Sequence, residues 1–230
     1  VARYSWVGLP HSPHWLHTHA GRLHPRRVVS REHDHVFTVG ALGVDQYDVS
    51  RPRKLRATIR RAQAAADASD QTVRPLAPGG LTAVLDRLVA VERAGHRTKG
   101  HVLASRAVSD ALVDLDADGR LVVHVLQRGV EPLGYLVAGR GATQDHLYTT
   151  AIRAELADSS AGSLLFAAAI RNALASGRAV SMGAGATAFK RRFATASVPQ
   201  ADAVLLPAWA GAAERPLARA LGRVSSSGWS

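Results

Sequence analysis

The segment RLVVHVLQRGVEPLGYLVAGRGATQDHLYTTAI (120–152) reads as three strands, RLVVHVLQ (120–127), PLGYLVAG (132–139) and HLYTTAI (146–152), joined by short loops that contain glycine. Apolar runs of this length, rich in Val and Leu and bounded by turn residues, favour strand over helix. Loops this short join antiparallel neighbours, because a parallel crossover needs about a dozen residues or more. The middle of the chain is therefore expected to be an antiparallel meander, entered through the turn DADG (116–119).

Helices flank this meander. Ser50 and Pro52 give a helix start signal, and Arg53–Asp67 places Leu55, Ile59, Ala62 and Ala66 on one stripe. Arg53, Arg56 and Arg60 fall on another stripe. A short strand is expected around Val73. Two amphipathic helices follow, Gly79–Ala94 and His101–Leu115. After the meander, SSAG (159–162) leads into a long apolar helix, Ser163–Ser176, which Gly177 stops at a favoured C-cap position. AVSM (179–182) is a short strand, GAGAT (183–187) a glycine turn, AFKRRFA (188–194) a short helix, and AVLLP (203–207) a last strand. Near the start, VVSREHDHVFTVG (28–40) alternates well enough for one or two strands.

Composition bounds the function. The 230 residues are 47% hydrophobic and 20% charged, which is globular and excludes a disordered chain, a collagen repeat and a coiled-coil rod. Cysteine is absent, removing disulfides, thiolate nucleophiles and cysteine zinc sites together. No apolar run is long enough for a membrane span. The opening VARYSWVGLPHSPHW lacks a charged region followed by an apolar one, so no secretory leader and a cytoplasmic location are expected. The formal net charge is +11, which suits a polyanionic partner and equally suits an arginine-rich genome. Among 29 basic residues only Lys54, Lys99 and Lys190 are lysines.

The order of elements, together with RKLRATIRRAQ (53–63), the meander ending in LYTTAI, SSAGSLLFAAAIRNALASG (159–177) and SMGAGATAFKRRFA (181–194), resembles the CelD-like branch of the GNAT acyltransferases, a branch related to the FemAB-like aminoacyltransferases. The resemblance covers roughly residues 50–207. Its hallmark is a strand ending in a Gly-x-Gly turn, then a lysine, then Phe, here Gly183, Gly185, Lys190 and Phe193. It implies an α/β (α+β) GNAT-like fold with a mixed, mostly antiparallel twisted sheet flanked by helices. It also implies the domain plan: residues 1–49 as a His- and Arg-rich arm or the remnant of a preceding GNAT-like lobe, 50–210 as the acyltransferase domain, and 211–230 as a tail.

The resemblance further implies N-acyl transfer, from acetyl-CoA or another acyl-CoA, to an amine of a small molecule or amino sugar. A FemAB-like transfer from aminoacyl-tRNA is the alternative, and a non-catalytic basic binding module is the third. The thioester arm would lie between HLYTTAI and AVSM. A donor pyrophosphate would meet the start of the next helix, at Ser159, Ser160, Gly162 and Ser163, and Gly183 and Gly185 of the Gly-x-Gly turn are the further cofactor-binding candidates. An ordinary N-cap explains SSAG equally well. The usual GNAT pyrophosphate signature, Gln or Arg-x-x-Gly-x-Gly or Ala, is absent here, as it is on the FemAB side.

Lys190 matches a lysine implicated in the site of the FemAB-like relatives and would place an ammonium beside an oxyanion or phosphate. GNAT enzymes often use a Tyr to protonate the leaving thiolate. Phe189 precedes Lys190 and cannot do so, which leaves Tyr148. His124, His146 and Glu155 are candidates for the general base, histidine having the apt ordinary pKa. Lys54, Arg56 and Arg60, with Arg61, form a second basic cluster that would bind an anionic acceptor, a CoA phosphate or tRNA. The solvated helix face is the competing account. The oligomeric state is left open, with a homodimer as one option.

Three other signals fail. GAGATAFK (183–190) lacks the Gly before and the Ser or Thr after its lysine that a phosphate loop needs. No Gly-x-Ser-x-Gly elbow exists. Seven histidines crowd the first 35 residues (His11, His14, His17, His19, His24, His33 and His35), and His17/His19 and His33/His35 have two-residue spacing. No carboxylate completes a metal motif with them, so no metal is expected.

Overall fold

The computed structural model describes residues 3–4, 26–95, 101–183 and 187–207, with backbone alone in 3–4, 26–36 and 198–207. In chain order they form β1 (Arg3–Tyr4), β2 (Arg26–Val39), α1 (Val44–Ser50), α2 (Arg53–Asp67), β3 (Gln71–Pro75), α3 (Leu81–Arg93), α4 (Arg106–Ala117), β4 (Leu121–Arg128), β5 (Glu131–Arg140) and β6 (Gln144–Ile152). A 3₁₀ helix (Ala154–Ser159) follows, then α5 (Ala161–Ala175), β7 (Ala179–Ser181), α6 (Ala188–Phe193) and β8 (Ala196–Pro207). The chain divides into two compact units. In the smaller, β1 runs antiparallel to β8, with Arg3 opposite Val204, and β8 lies between β1 and β2.

The larger unit comprises Thr38–Gly183 and Ala188–Ala196. Its strands follow the order β2 end, β7, β6, β5, β4, β3. Every pairing is antiparallel except β6 with β7. This is the mixed, mostly antiparallel sheet that the resemblance implies. Strand side chains alternate between faces. Leu121, Val123, Val125, Tyr135 and Val137 pack with Leu81, Leu88, Val91, Leu103 and Leu112 of the α3–α4 layer. The opposite face meets α5, where a Cβ on Gly134 would come within 3.2 Å of Leu165. Ten residues of α5 are buried. It is apolar nearly all round because it is enclosed between sheet and α2, which turns Leu55, Ala62 and Ala66 inward.

Several boundaries move for identifiable reasons. Helix α3 starts at Leu81 rather than Gly79, because Gly79 has φ +77° and the Leu81 N–H donates to the buried Asp116 carboxylate at 2.8 Å. Helix α4 starts at Arg106 rather than His101, because the N–H groups of Val102 and Ala104 donate to Glu92 (2.7 and 3.0 Å). Helix α5 starts at Ala161, directly after Ser160 in the left-handed region (φ 63°). Gly177, at φ +70°, follows its C-cap as expected. Strand β8 begins at Ala196, earlier than expected, and α1 was not foreseen at all.

Candidate active site

The parallel pairing of β6 with β7 is short: Gln144 faces Ala179, Asp145 faces Val180 and His146 faces Ser181. Strand β7 then ends, while β6 continues from Leu147 to Ile152 beside β5 alone among the described residues. At the point of divergence the β5–β6 register shifts, from Thr149 opposite Val137 to Leu147 opposite Ala138. Tyr148 is the extra residue of this bulge and is 54% exposed. Bulges of this kind re-aim a side chain and end a pairing. Gly183 follows β7 at φ +70°, and a Cβ there would lie 3.7 Å from the Leu147 carbonyl. Strand β6 thus keeps one backbone edge without a strand partner beyond His146 among the described residues.

Buried charge stiffens the paired part of β6 and β7. Arg178 donates from Nε to Asp145 at 2.8 Å, and Asp145 is almost fully enclosed. His124 on β4 is also buried. Loss of solvent pulls its pKa from the ordinary 6.5 down to about 4, against the opposing charge of Asp145. It is therefore neutral at pH 7. Its folded pKa lies below its unfolded one, so this histidine's contribution is intact above pH 6.5 and is lost as pH falls through 4. Between pH 7 and 4 the wild-type protein should lose about 3 kcal/mol more stability than His124→Gln. Denaturant melts at both pH values measure this, and equal losses in the two proteins would contradict it.

The start of α5 offers backbone donors. The N–H groups of Ser163 and Leu164 both donate to the Ser160 carbonyl. The Ala161 N–H reaches only Ser159 Oγ, at a long 3.3 Å, and the Gly162 N–H has no acceptor among the described residues. A Cβ on Gly162 would touch nothing within 4 Å, so this end is open. Ser163 is buried, whereas Ser160 and Gly162 are partly exposed.

Lys190 lies on α6, partly exposed. The ring of Phe189 meets Phe166 of α5 edge-on at 4.9 Å and Phe193 at 5.1 Å, which seats α6 against α5. The Arg192 guanidinium lies over Phe189 at 5.4 Å.

The structure thus gathers His146, Tyr148 and Gly183 at the β6–β7 fork, puts Ser160, Gly162 and Ser163 at the start of α5, and packs the Lys190 helix on that same α5. Glu155 is exposed in the 3₁₀ helix, and its carboxylate faces Arg153 at 3.7 Å, which also holds Glu131 at 2.6 Å. Lys54, Arg56 and Arg60 stand exposed on α2, on the side away from α5. Gly185 and the histidines from His11 to His24 lie outside the described residues, and β2 carries His33 and His35. Among the described residues no three His, Cys, Asp or Glu side chains converge as metal ligands. No helix there is long and apolar enough to cross a membrane.

Two groups escaped the sequence reading. Glu92 is buried and accepts from Val102 N–H, Ala104 N–H and the Tyr135 hydroxyl (2.8 Å), fastening the segment after α3 to the sheet. Tyr47 and Arg51 sit at the C-terminal end of α6. Helix α1 has only seven residues, too few for periodicity to reveal it. Glu92 continues the stripe of Leu81, Leu85 and Leu88 at helical spacing, and that place on the apolar face is the signal that could have found it.

Residues 53–191, more than half of the chain, match the family model described as "Acetyltransferase (GNAT) domain". Among curated proteins none matches in sequence. The C-terminal domain of a protein classed as a lysylphosphatidylglycerol synthetase from Agrobacterium fabrum superposes with a TM-score of 0.61 at 13% identity, over 84% of this chain and 65% of that one. FemX superposes with a TM-score of 0.55 at 12% identity, over 75% of this chain and 61% of that one. L-PGS from Bacillus licheniformis gives 0.53 at 13%, over 76% and 62%. The chain therefore spans less than two thirds of the length of each of these structures. At such identities the likeness is one of fold. The family match, the mixed sheet and the fork between β6 and β7 agree, and the chain belongs to the acetyltransferase (GNAT) domain family.

Proposed function

We propose that the chain is an N-acyltransferase that moves an acyl group from acyl-CoA to the amine of a small molecule or amino sugar, at the fork of β6 and β7. The observation that carries this reading is the continuation of β6 from Leu147 to Ile152 beyond its last pairing with β7. A backbone edge left free in this way presents N–H groups to a carbonyl oxygen, and fixed donors there favour the charge that develops on attack. The Gly162 N–H, which has no acceptor among the described residues, and the Ala161 N–H, held only by the long bond to Ser159 Oγ, suit the donor's pyrophosphate, since a helix start favours anions. Lys190 adds a cation to the oxyanion or phosphate. The amine nitrogen bonds to the acyl carbon, its proton passes to His146, the carbon–sulfur bond breaks, and the Tyr148 hydroxyl returns a proton to the thiolate. Glu155 is the second base candidate, with its carboxylate held by Arg153.

A second reading, aminoacyl-tRNA as donor, is favoured by one helix. Arg53, Lys54, Arg56, Arg60 and Arg61 are exposed on α2, which holds no acidic residue before Asp67, and the chain carries a net +11. A ligand that binds only the folded state raises the melting temperature. Saturable stabilisation by acetyl-CoA that survives moderate salt supports the first reading. Stabilisation by charged tRNA alone, falling steeply with salt, replaces it with the second. No shift with either defeats both and leaves the non-catalytic module. In the double variant Arg56→Ala/Arg60→Ala we expect KM for the anionic substrate to rise about 10-fold with kcat little changed. An unchanged KM for donor and acceptor removes this cluster from the site.

A further inference from the structure

Helix α6 has six residues, far below the length at which a helix holds itself in water. Its place must come from its neighbours. Phe189 and Phe193 stack with Phe166 on one flank, the latter pair at 5.7 Å. The other fixture is at its C-terminal end. The Phe193 carbonyl accepts from Arg51 Nη1 at 2.6 Å and from the Tyr47 hydroxyl at 3.1 Å, and the Ala194 carbonyl accepts from the same Nη1 at 2.7 Å. These carbonyls are the ones a helix end leaves without an internal partner, and a cation there meets the negative end of the helix dipole.

The clamp is built rather than incidental. Arg51 is 7% exposed, and its guanidinium lies over the Tyr47 ring at 4.5 Å. Tyr47 is buried, which pushes its hydroxyl up to about 12 and keeps it a neutral donor, with Arg51 opposing. Helix α1 is itself tied to α5, where Arg171 grips Asp48 through Nη2 at 2.8 Å and Nε at 3.1 Å. The Ala194 N–H closes back onto the Lys190 carbonyl at 3.1 Å, so the clamped end and the lysine share one turn. Tyr47 and Arg51 both precede residue 53, where the family match begins.

We propose that Tyr47 and Arg51 are positioning residues for transfer: by holding the last carbonyls of α6 they set where the Lys190 ammonium stands. This rests on the reading that Lys190 serves the reaction. Arg51→Lys keeps the charge but loses the rigid pair of N–H donors that meets two carbonyls. Tyr47→Phe removes one hydrogen bond and little volume, so it carries the test should the buried arginine variant fail to fold.

The chain's three lysines give a readout that does not need activity. Competitive amine labelling, read by mass spectrometry, compares Lys190 with the exposed Lys54 in each folded variant. We expect Lys190 labelling relative to Lys54 to rise about 3-fold or more as the helix end opens. We expect kcat to fall about 10- to 100-fold in Arg51→Lys and several-fold in Tyr47→Phe, with donor KM within about 2-fold. Unchanged labelling in the folded variants overturns the clamp. Raised labelling with unchanged kcat, in an enzyme that Lys190→Ala inactivates, overturns its positioning role. Full activity of Lys190→Ala overturns the underlying reading of Lys190 instead, and the positioning role falls with it.

Discussion

Lys190→Ala should lower the rate of acyl transfer by about 100-fold or more while leaving the melting temperature nearly unchanged. The stability half of this expectation follows from placement. Lys190 is partly exposed, and α6 is held by the rings of Phe189 and Phe193 and by the carbonyls beyond the lysine, none of which the substitution touches. The activity half follows from the reading that its ammonium faces the oxyanion or a donor phosphate. Lys190→Arg should not restore the rate, since a planar guanidinium does not take the place of a compact ammonium. Steady-state kinetics with acyl-CoA and a panel of amines, beside thermal melts of each variant, decide the matter. Wild-type turnover in Lys190→Ala would sink the role assigned to this residue.

The second large effect is on stability. Glu92→Ala should cost about 2 to 4 kcal/mol, because it removes a buried carboxylate that accepts from Val102 N–H, Ala104 N–H and the Tyr135 hydroxyl. Glu92→Gln keeps one acceptor oxygen but turns an amide toward these donors, and should cost less than alanine though still more than 1 kcal/mol or so. Tyr135→Phe leaves the carboxylate with its two backbone donors and should be the mildest of the three. Urea melts of the three variants test the order. A loss below about 1 kcal/mol in Glu92→Ala would show that the carboxylate does not anchor the segment after α3.

These two residues also mark how far the sequence could be read. Lys190 was legible because the glycines, the lysine and the phenylalanine around it lie within one short stretch, in a recognisable spacing. The meander was legible because strand alternation and glycine turns are local signals, and β4, β5 and β6 lie within a residue or two of where the sequence put them. Glu92 and Arg51 were not, because their partners lie far along the chain. Glu92 meets Tyr135 across a separation of 43 residues, and Arg51 meets Phe193 across 142. No pattern within a helical turn encodes such a meeting. The same holds for His124, whose place on a strand was clear but whose low pKa depends on what encloses it.

By itself, then, the sequence determined the order of helices and strands from α2 to α6, the basic face of α2 and the lysine of α6, which rest on periodicity or on spacing within a short segment, and its resemblance to a known family pointed to the GNAT domain. The tertiary structure alone decided that β6 and β7 part after His146 and Ser181, that the Gly162 N–H at the start of α5 has no acceptor among the described residues, and that Arg51 closes the end of the Lys190 helix. The physical reason is that strand divergence, solvent exclusion and the capture of an unpaired carbonyl are set by groups distant in sequence, and burial gives them their strength only once the core has closed around them.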